Sequence, residues 1–272
     1  MKGNADIVKE FDVTLVHLFT QEAEKRKDIV AVEEPLHILV NGEHYASILC
    51  SPSQKEELVA GNIVSEGLIN SIDDIREIKE GTRGEFRVTL KEGIDVLKRL
   101  EISSSFKRLI LTACGGADSW PMSKLIDRIN VPKVMDTTRF AARTVSEGAK
   151  GLNVLASTFR ETGGVHAAAL YDTQGSLIAF SEDVGRHNAV DKVLGIVLLR
   201  KRSLTDAFLA LTGRMTGDIV LKAARVRIPL VVSISAGIDS GIEIARKTGI
   251  TLLGFARADR MTIYSFPERL IL

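Results

Sequence analysis

Cysteine is scarce in this chain, and its scarcity excludes much. Only Cys50 and Cys114 occur in 272 residues, far apart and with no second thiol near either. A disulfide framework is therefore excluded, as is a zinc site of two or more clustered thiolates unless an oligomer pools them. Charge of one sign is lacking too. The 36 basic and 35 acidic residues leave a net charge of +1, which gives no electrostatic reason for nonspecific binding to nucleic acid or an anionic membrane. Any phosphate site has to be local. Neither an apolar leader after Met1 nor a run approaching the roughly 20 apolar residues of a membrane span is present. On this basis the protein is read as cytoplasmic, with no nucleic-acid or membrane partner.

What is present is a composition able to build a core. Hydrophobic residues make up 45% of the chain, enough for one large α/β domain or two smaller ones. Residues 11–19 and 29–40 read as strands, and Asn41-Gly42 before Tyr45–Leu49 signals a hairpin with a type I′ turn. Ser53-Gln54-Lys55-Glu56 has the capping-box pattern. It predicts a helix carrying Leu58, Val59 and Ile63 that stops at Gly67. Phe86, Val88 and Leu90 alternate as a half-buried strand, and Leu109-Ile110-Leu111 is a short strand opening into the loop Thr112–Ala117. From Asp136 the pattern turns helical, with Leu152, Leu155 and Phe159 on one stripe ending at Gly163-Gly164. Later come strands at Ala207–Leu211, Leu230–Ile234 and Thr251–Phe255, and helices at Ile219–Arg225 and Ile238–Lys247. This alternation predicts a mostly parallel α/β sheet with its ligand at the carboxyl ends of the strands.

The stretch Thr162–Gly195 is the densest in polar chemistry. Val165–Tyr171 and Leu177–Phe180 flank a turn-forming cluster and predict a hairpin. Ala189, Val190, Val193 and Leu194 then recur at helical spacing, which places His187 and Asn188 at a helix start, where free amides favour an anion. His166 follows Gly163-Gly164, and His187 follows Gly185-Arg186. Each glycine lets a ligand approach the backbone. Neither histidine belongs to an H-x-x-x-H or H-E-x-x-H pattern, so a metal is weakly supported.

Three other places carry candidate chemistry. Cys114 sits where a strand opens into a loop before two glycines, so its thiol is either a reachable nucleophile or a small buried hydrophobe. Position alone leaves both readings open. Cys50, inside an apolar strand, reads as buried. Gly213-Arg214-Met215-Thr216-Gly217-Asp218 leads into a helix and suits a phosphate, although it lacks the G-K-[ST] of a Walker loop. An ordinary helix start capped by Thr216 or Asp218 explains the same residues. Phe255, Ala256, Arg257, Ala258, Asp259 and Arg260 supply a stacking ring, two guanidiniums and a carboxylate at a strand end. They suit a guanine edge and a phosphate, or else form a solvated charge cluster.

Together these residues resemble the FdhD family of formate dehydrogenase accessory sulfurtransferases. The likeness runs through Glu34-Pro35-Leu36, Val40-Asn41-Gly42, Ser65-Glu66-Gly67, the Cys114 loop, Thr162–His166, Glu182–Lys192, Gly213-Arg214-Met215 and Gly254–Arg257. The resemblance implies a sulfur carrier. A cysteine desulfurase would load a persulfide onto Cys114, and the sulfur would pass to the molybdenum (or tungsten) guanine-dinucleotide cofactor, molybdenum bis(molybdopterin guanine dinucleotide), before its insertion into formate dehydrogenase. It places that cofactor on Phe255–Arg260, and it implies a homodimer. The glycines Gly163, Gly164 and Gly213 with His166, Arg186, His187 and Arg214 complete the candidate cofactor site. Ala117 stands where many members carry a second cysteine, so a mechanism through a disulfide is not available, whereas a single persulfide remains sufficient.

The family is also similar in fold to the cytidine deaminases. That likeness implies a three-layer α/β domain over residues 136–272 with a smaller α+β part over 1–135 that carries the Cys114 loop. Deamination itself is excluded: His187-Asn188-Ala189 lacks the glutamate of H-x-E, and Ser233–Ser240 holds no cysteine. Two further readings stand beside the sulfur carrier. One is a non-enzymatic chaperone that binds and delivers the cofactor, and the other is a Cys–His hydrolase using His166 or His187 as base.

Overall fold

The computed structural model describes residues 7–94, 132–135, 137–257 and 259–272. Cys114 with its loop, the strand expected at Leu109–Leu111, Asp136 and Ala258 lie outside the described residues. Elements are numbered in chain order among those described.

The first half carries a hairpin of β1 (Val8–His17) and β2 (Glu22–Ala31). Among the described residues these strands pair only with each other. A four-stranded sheet follows, built from β3 (Glu34–Val40), β4 (Glu43–Cys50), β5 (Ile75–Glu80) and β6 (Glu85–Leu90) in the order β4-β3-β6-β5. The single strand expected over 29–40 is thus two strands in different sheets, divided before Pro35. The charged run Glu22–Asp28 is itself a strand, exposed on both faces and so without an apolar alternation to mark it. The expected turn is formed: Asn41 and Gly42 take φ of 51° and 89°, the positive pair a type I′ turn requires. Asn41 Oδ1 also accepts from Leu90 N at 2.9 Å, joining the turn to β6.

Helix α1 (Lys55–Ser65) covers this sheet, with Leu58, Val59, Ile63 and Val64 in one core with Leu36, Ile38, Phe86 and Val88. The expected capping box does not form. Gln54, not Ser53, is the N-cap, in the left-handed region at φ 54° and without a side-chain cap bond. Its side chain is drawn elsewhere, accepting from the Ser181 hydroxyl at 2.6 Å.

The second half is a six-stranded sheet of β8 (His166–Asp172), β9 (Leu177–Asp183), β10 (Ala207–Leu211), β11 (Leu230–Ser233), β12 (Thr251–Arg257) and β13 (Arg260–Ser265), in the order β13-β12-β11-β10-β8-β9. Only β10, β11 and β12 run parallel to their neighbours in this group; β8, β9 and β13 join antiparallel. The expectation of a mostly parallel sheet is corrected accordingly. Two hairpins, β8–β9 and β12–β13, supply the outer strands, and a hairpin is antiparallel by construction.

Alternation along these strands sorts their side chains to two faces. Ala168, Leu170, Leu209, Leu211, Val231 and Leu252 pack with α4 (Arg186–Leu199), α5 (Gly217–Arg225) and α6 (Asp239–Thr248). Ala167, Ala169, Phe208, Ala210, Val232 and Leu253 pack instead with α2 (Ala142–Leu155), which runs on toward the short α3 (Ser157–Thr162). The result is helix, sheet and helix in three layers. A short parallel pair, β7 (Phe140–Ala141) with β14 (Leu270–Ile271), closes the α2 side.

The halves meet where α1 lies on α4, and the approach requires glycine. A Cβ on Gly61 would stand 1.8 Å from the Asp191 carbonyl oxygen, and one on Gly195 would stand 1.8 Å from that of Glu57. Beside this contact the polar groups bond across the seam. Asp191 accepts from Asn62 Nδ2 (2.9 Å), Ser65 Oγ (2.6 Å) and Lys222 Nζ (2.9 Å), and Lys222 also reaches Glu66 at 2.6 Å. Among the described residues no helix is long and apolar enough to cross a membrane.

Candidate functional site

The carboxyl ends of β9, β10, β11 and β12 and the start of antiparallel β8 lie on one edge of the six-stranded sheet. His166 opens β8, with its Nδ1 3.3 Å from Oγ1 of Thr212, the residue that follows β10. The same hydroxyl oxygen accepts from Ala167 N at 3.0 Å, which fixes the start of β8 against the end of β10. Arg186 and His187 begin α4 directly after β9. The Arg186 side chain lies over Gly213, where an added Cβ would come within 3.0 Å of Arg186 Cβ and 3.2 Å of its Cδ.

Burial lowers the His166 pKa, and the positive fields of Arg186, His187 and Arg214 lower it further. These four basic groups therefore share one neighbourhood. Arg186 Nε is buried with no hydrogen-bond partner among the described residues, and a buried guanidinium donor without an acceptor is costly. An anionic ligand with several oxygens answers both features, the clustered positive charge and the unused donor.

His187 is itself held. Its Nε2 is bonded to Oδ2 of Asp218 on α5, while Oδ1 of that carboxylate takes the Thr216 hydroxyl and Ile219 N, the latter at 2.9 Å. Asp218 thus does more than cap its helix, the bland role its position suggested. It lies 31 residues from His187, and the Thr-x-Asp pattern at a helix start carried no signal of the histidine.

The remaining candidates divide. Gly163 ends α3 at φ 64°, and Gly164 packs near Ala31 of the first hairpin, so both serve the backbone before β8. Phe255, Ala256 and Arg257 end β12, two strands from β10. Arg257 Nε donates to the Ile234 carbonyl at 2.8 Å. With Ile234, Ala256, Lys150 and Asn153 it lines a cavity of about 380 Å³. Asp259 is exposed in the turn that leads into β13, and Arg260 is exposed at the first position of that strand.

Most of the Glu182–Lys192 string builds the fold. Glu182 takes the first amides of α3, from Phe159 (2.7 Å) and Thr158 (3.2 Å). Asp183 is fully buried; it pairs with Lys192 at 2.6 Å and accepts from Ser51 N and Asn188 Nδ2. Only Arg186 and His187 of this string enter the basic cluster.

Cys50 ends β4 fully buried. Burial, then the negative charge of Asp183, pushes its thiol up to about 11. Iodoacetamide at neutral pH is accordingly expected to leave Cys50 unmodified in the native protein and to reach it only after denaturation, as peptide mass mapping would show.

Fold and site together define a three-layer α/β protein with a cationic site at its strand ends. The chain belongs to the FdhD/NarQ family, whose model matches residues 31–271. It is 37% identical over 268 residues to the sulfur carrier protein FdhD of Saccharolobus solfataricus, covering 97% of this chain and 98% of that one. It is 39% identical over 253 residues to the protein of the same name from Thermoplasma acidophilum, covering 90% and 87%. A crystal structure from Desulfotalea psychrophila, described as that of a formate dehydrogenase accessory protein, superposes with a TM-score of 0.76 at 25% identity over 97% of this chain and all of that one.

Proposed function

We propose that this protein accepts a sulfane sulfur on Cys114 from a cysteine desulfurase and passes it to the guanine-dinucleotide form of the molybdenum or tungsten cofactor that formate dehydrogenase requires. In this reading it acts in the cytoplasm as a homodimer, on a cytidine deaminase-like scaffold that lacks the deaminase metal ligands. The observation that carries the proposal is the meeting of His166, Arg186, His187 and Arg214 around an unpartnered buried guanidinium nitrogen. That donor set fits the pyrophosphate of a dinucleotide, which here is the substrate. Ala256 and Arg257, at the end of β12, line a cavity that would take a base.

Sulfur chemistry falls to Cys114 because the other cysteine of the chain, Cys50, is buried and resists ionisation. Attack by the Cys114 thiolate on the terminal sulfur of a desulfurase persulfide breaks one S–S bond and forms another. The desulfurase cysteine leaves as a thiolate, so no outside oxidant is consumed.

Intact mass after incubation with a desulfurase and free cysteine tests the reading. The parent and Cys50→Ala are expected to gain one reducible sulfur, and Cys114→Ala none. If no form gains sulfur while a guanine nucleotide still binds, the protein is a cofactor chaperone. That alternative is favoured by a cationic cluster that holds no cysteine among the described residues.

A further inference from the structure

Asp218 is the group at this site whose role the sulfur-carrier reading leaves open. Burial opposes ionisation of its carboxyl, but the bond and charge of His187, the Thr216 hydroxyl and the Ile219 amide outweigh burial and hold it well below the usual carboxylate range. An ionised carboxylate only accepts, so the hydrogen shared with the ring belongs to Nε2 of His187. In the neutral ring Nδ1 then carries no proton. It also has no hydrogen-bond partner among the described residues, and the His187 side chain is 33% exposed. The charged and titratable groups around the two histidines are Asp218 from α5, Arg214 from the loop after β10, and Arg186 on α4 itself.

We propose that Asp218 is a positioning residue that makes His187 a proton-coupled ligand for phosphate: with Nε2–H committed to the carboxylate, Nδ1 takes up a proton as the anion enters and donates it as a hydrogen bond. The inference rests on the anion site of the proposed function and deepens it. The proton comes from solvent, and the N–H bond it makes at Nδ1 is the sole covalent change. The resulting imidazolium uses both N–H groups, one on Asp218 and one on the phosphate oxygen. His166 plays the opposite part. The positive groups around it favour its neutral form, and its Nδ1 is engaged by Thr212.

The test is calorimetric titration of the full chain with inorganic pyrophosphate, in buffers of different ionisation enthalpy, to count protons taken up on binding. The parent is expected to take up protons on binding. Asp218→Asn keeps an oxygen for Ile219 N but gives up the charge. It should bind about tenfold more weakly, the worth of one charge-assisted hydrogen bond, and take up fewer protons. Thr216→Val should move both quantities the same way by less. Nitrogen-15 NMR of the ligand-free parent should place the neutral His187 proton on Nε2, with the preference lost in Asp218→Asn. A proton on Nδ1 in the parent, or equal proton uptake in parent and Asp218→Asn, overturns the proposal while leaving the anion site standing. Failure of pyrophosphate to bind the parent removes the anion site and the proposal with it.

Discussion

Lys222→Met is expected to destabilise the folded protein by about 3–5 kcal/mol, the usual cost of removing one partner from a buried ion pair. Lys222 Nζ is the shared donor of Asp191, Glu66 and Ser65 at the seam between the two halves, with its side chain 3% exposed. Its loss would strand the fully buried Asp191 carboxylate against a helix that cannot move away. Denaturant unfolding of parent and variant at matched pH measures the difference. Lys222→Met with Asp191→Asn should recover part of it, since the amide carries no charge, its oxygen can still accept from Asn62, and its nitrogen can donate to the Ser65 hydroxyl oxygen.

The pH dependence has a definite sign. Burial lowers the Lys222 pKa, but Asp191 and Glu66 outweigh burial, and the folded value is raised above the ordinary one. A raised lysine gives stability that is complete below its unfolded pKa of roughly 10.4 and is lost as pH climbs through the folded value. The gap between parent and variant should therefore hold from neutral pH to about 10 and close only in stronger alkali. A gap that closes near neutrality would mean that Lys222 is not the charge holding the seam.

This network shows what the sequence could and could not convey. Hairpins with turn chemistry were legible: Asn41-Gly42 took its positive φ values, and Asp172 caps the β8–β9 turn by accepting from Gln174 N and Ser176 N, each at 2.9 Å. The strands and helices expected between Ala207 and Phe255 fell close to their bounds, because alternation and helical spacing are local, whereas β13 and β14 were not expected. The strand Glu22–Ala31 was not legible, since an exposed ribbon of charge has no buried face to leave a period. The antiparallel joining of β8 to β10 was equally hidden, because those two strands are distant in sequence.

The candidate site was half legible. Its residue types pointed to the strand ends, yet the string Glu182–Lys192 mixes two roles that sequence alone does not part. Asn188, Asp191, Lys192 and Gly195 recur on one face of α4, at the spacing that apolar residues normally occupy. That polar stripe with a glycine in it was the available sign of a buried seam rather than a ligand surface. Asp218 gave no such sign, because its bond to His187 joins two helix starts across the strand edge.

The glycine in that stripe supports the last prediction. Gly195→Ala is set between two opposed effects. Alanine is favoured over glycine inside a helix by about 0.8–1.0 kcal/mol, so propensity alone predicts a higher melting temperature. Against it stands the Glu57 carbonyl oxygen, 1.8 Å from the added Cβ. The obstacle is backbone and cannot rotate aside, so α1 and α4 must part, and overpacking of this kind costs roughly 1–3 kcal/mol, occasionally more. Parting would also stretch the Asp191 bonds to Asn62 and Ser65, which lie on the same interface. The expected result is a net loss of about 2 kcal/mol, read as a lower denaturation midpoint with unchanged slope. Gly61→Ala should behave alike, since its Cβ would meet the Asp191 carbonyl oxygen at the same 1.8 Å. The two together should cost less than their sum, because one separation of the helices accommodates both methyl groups. A rise in stability for either single variant would show that the helices do not approach this closely, and the polar bonds across the seam would then have to be longer than they stand here.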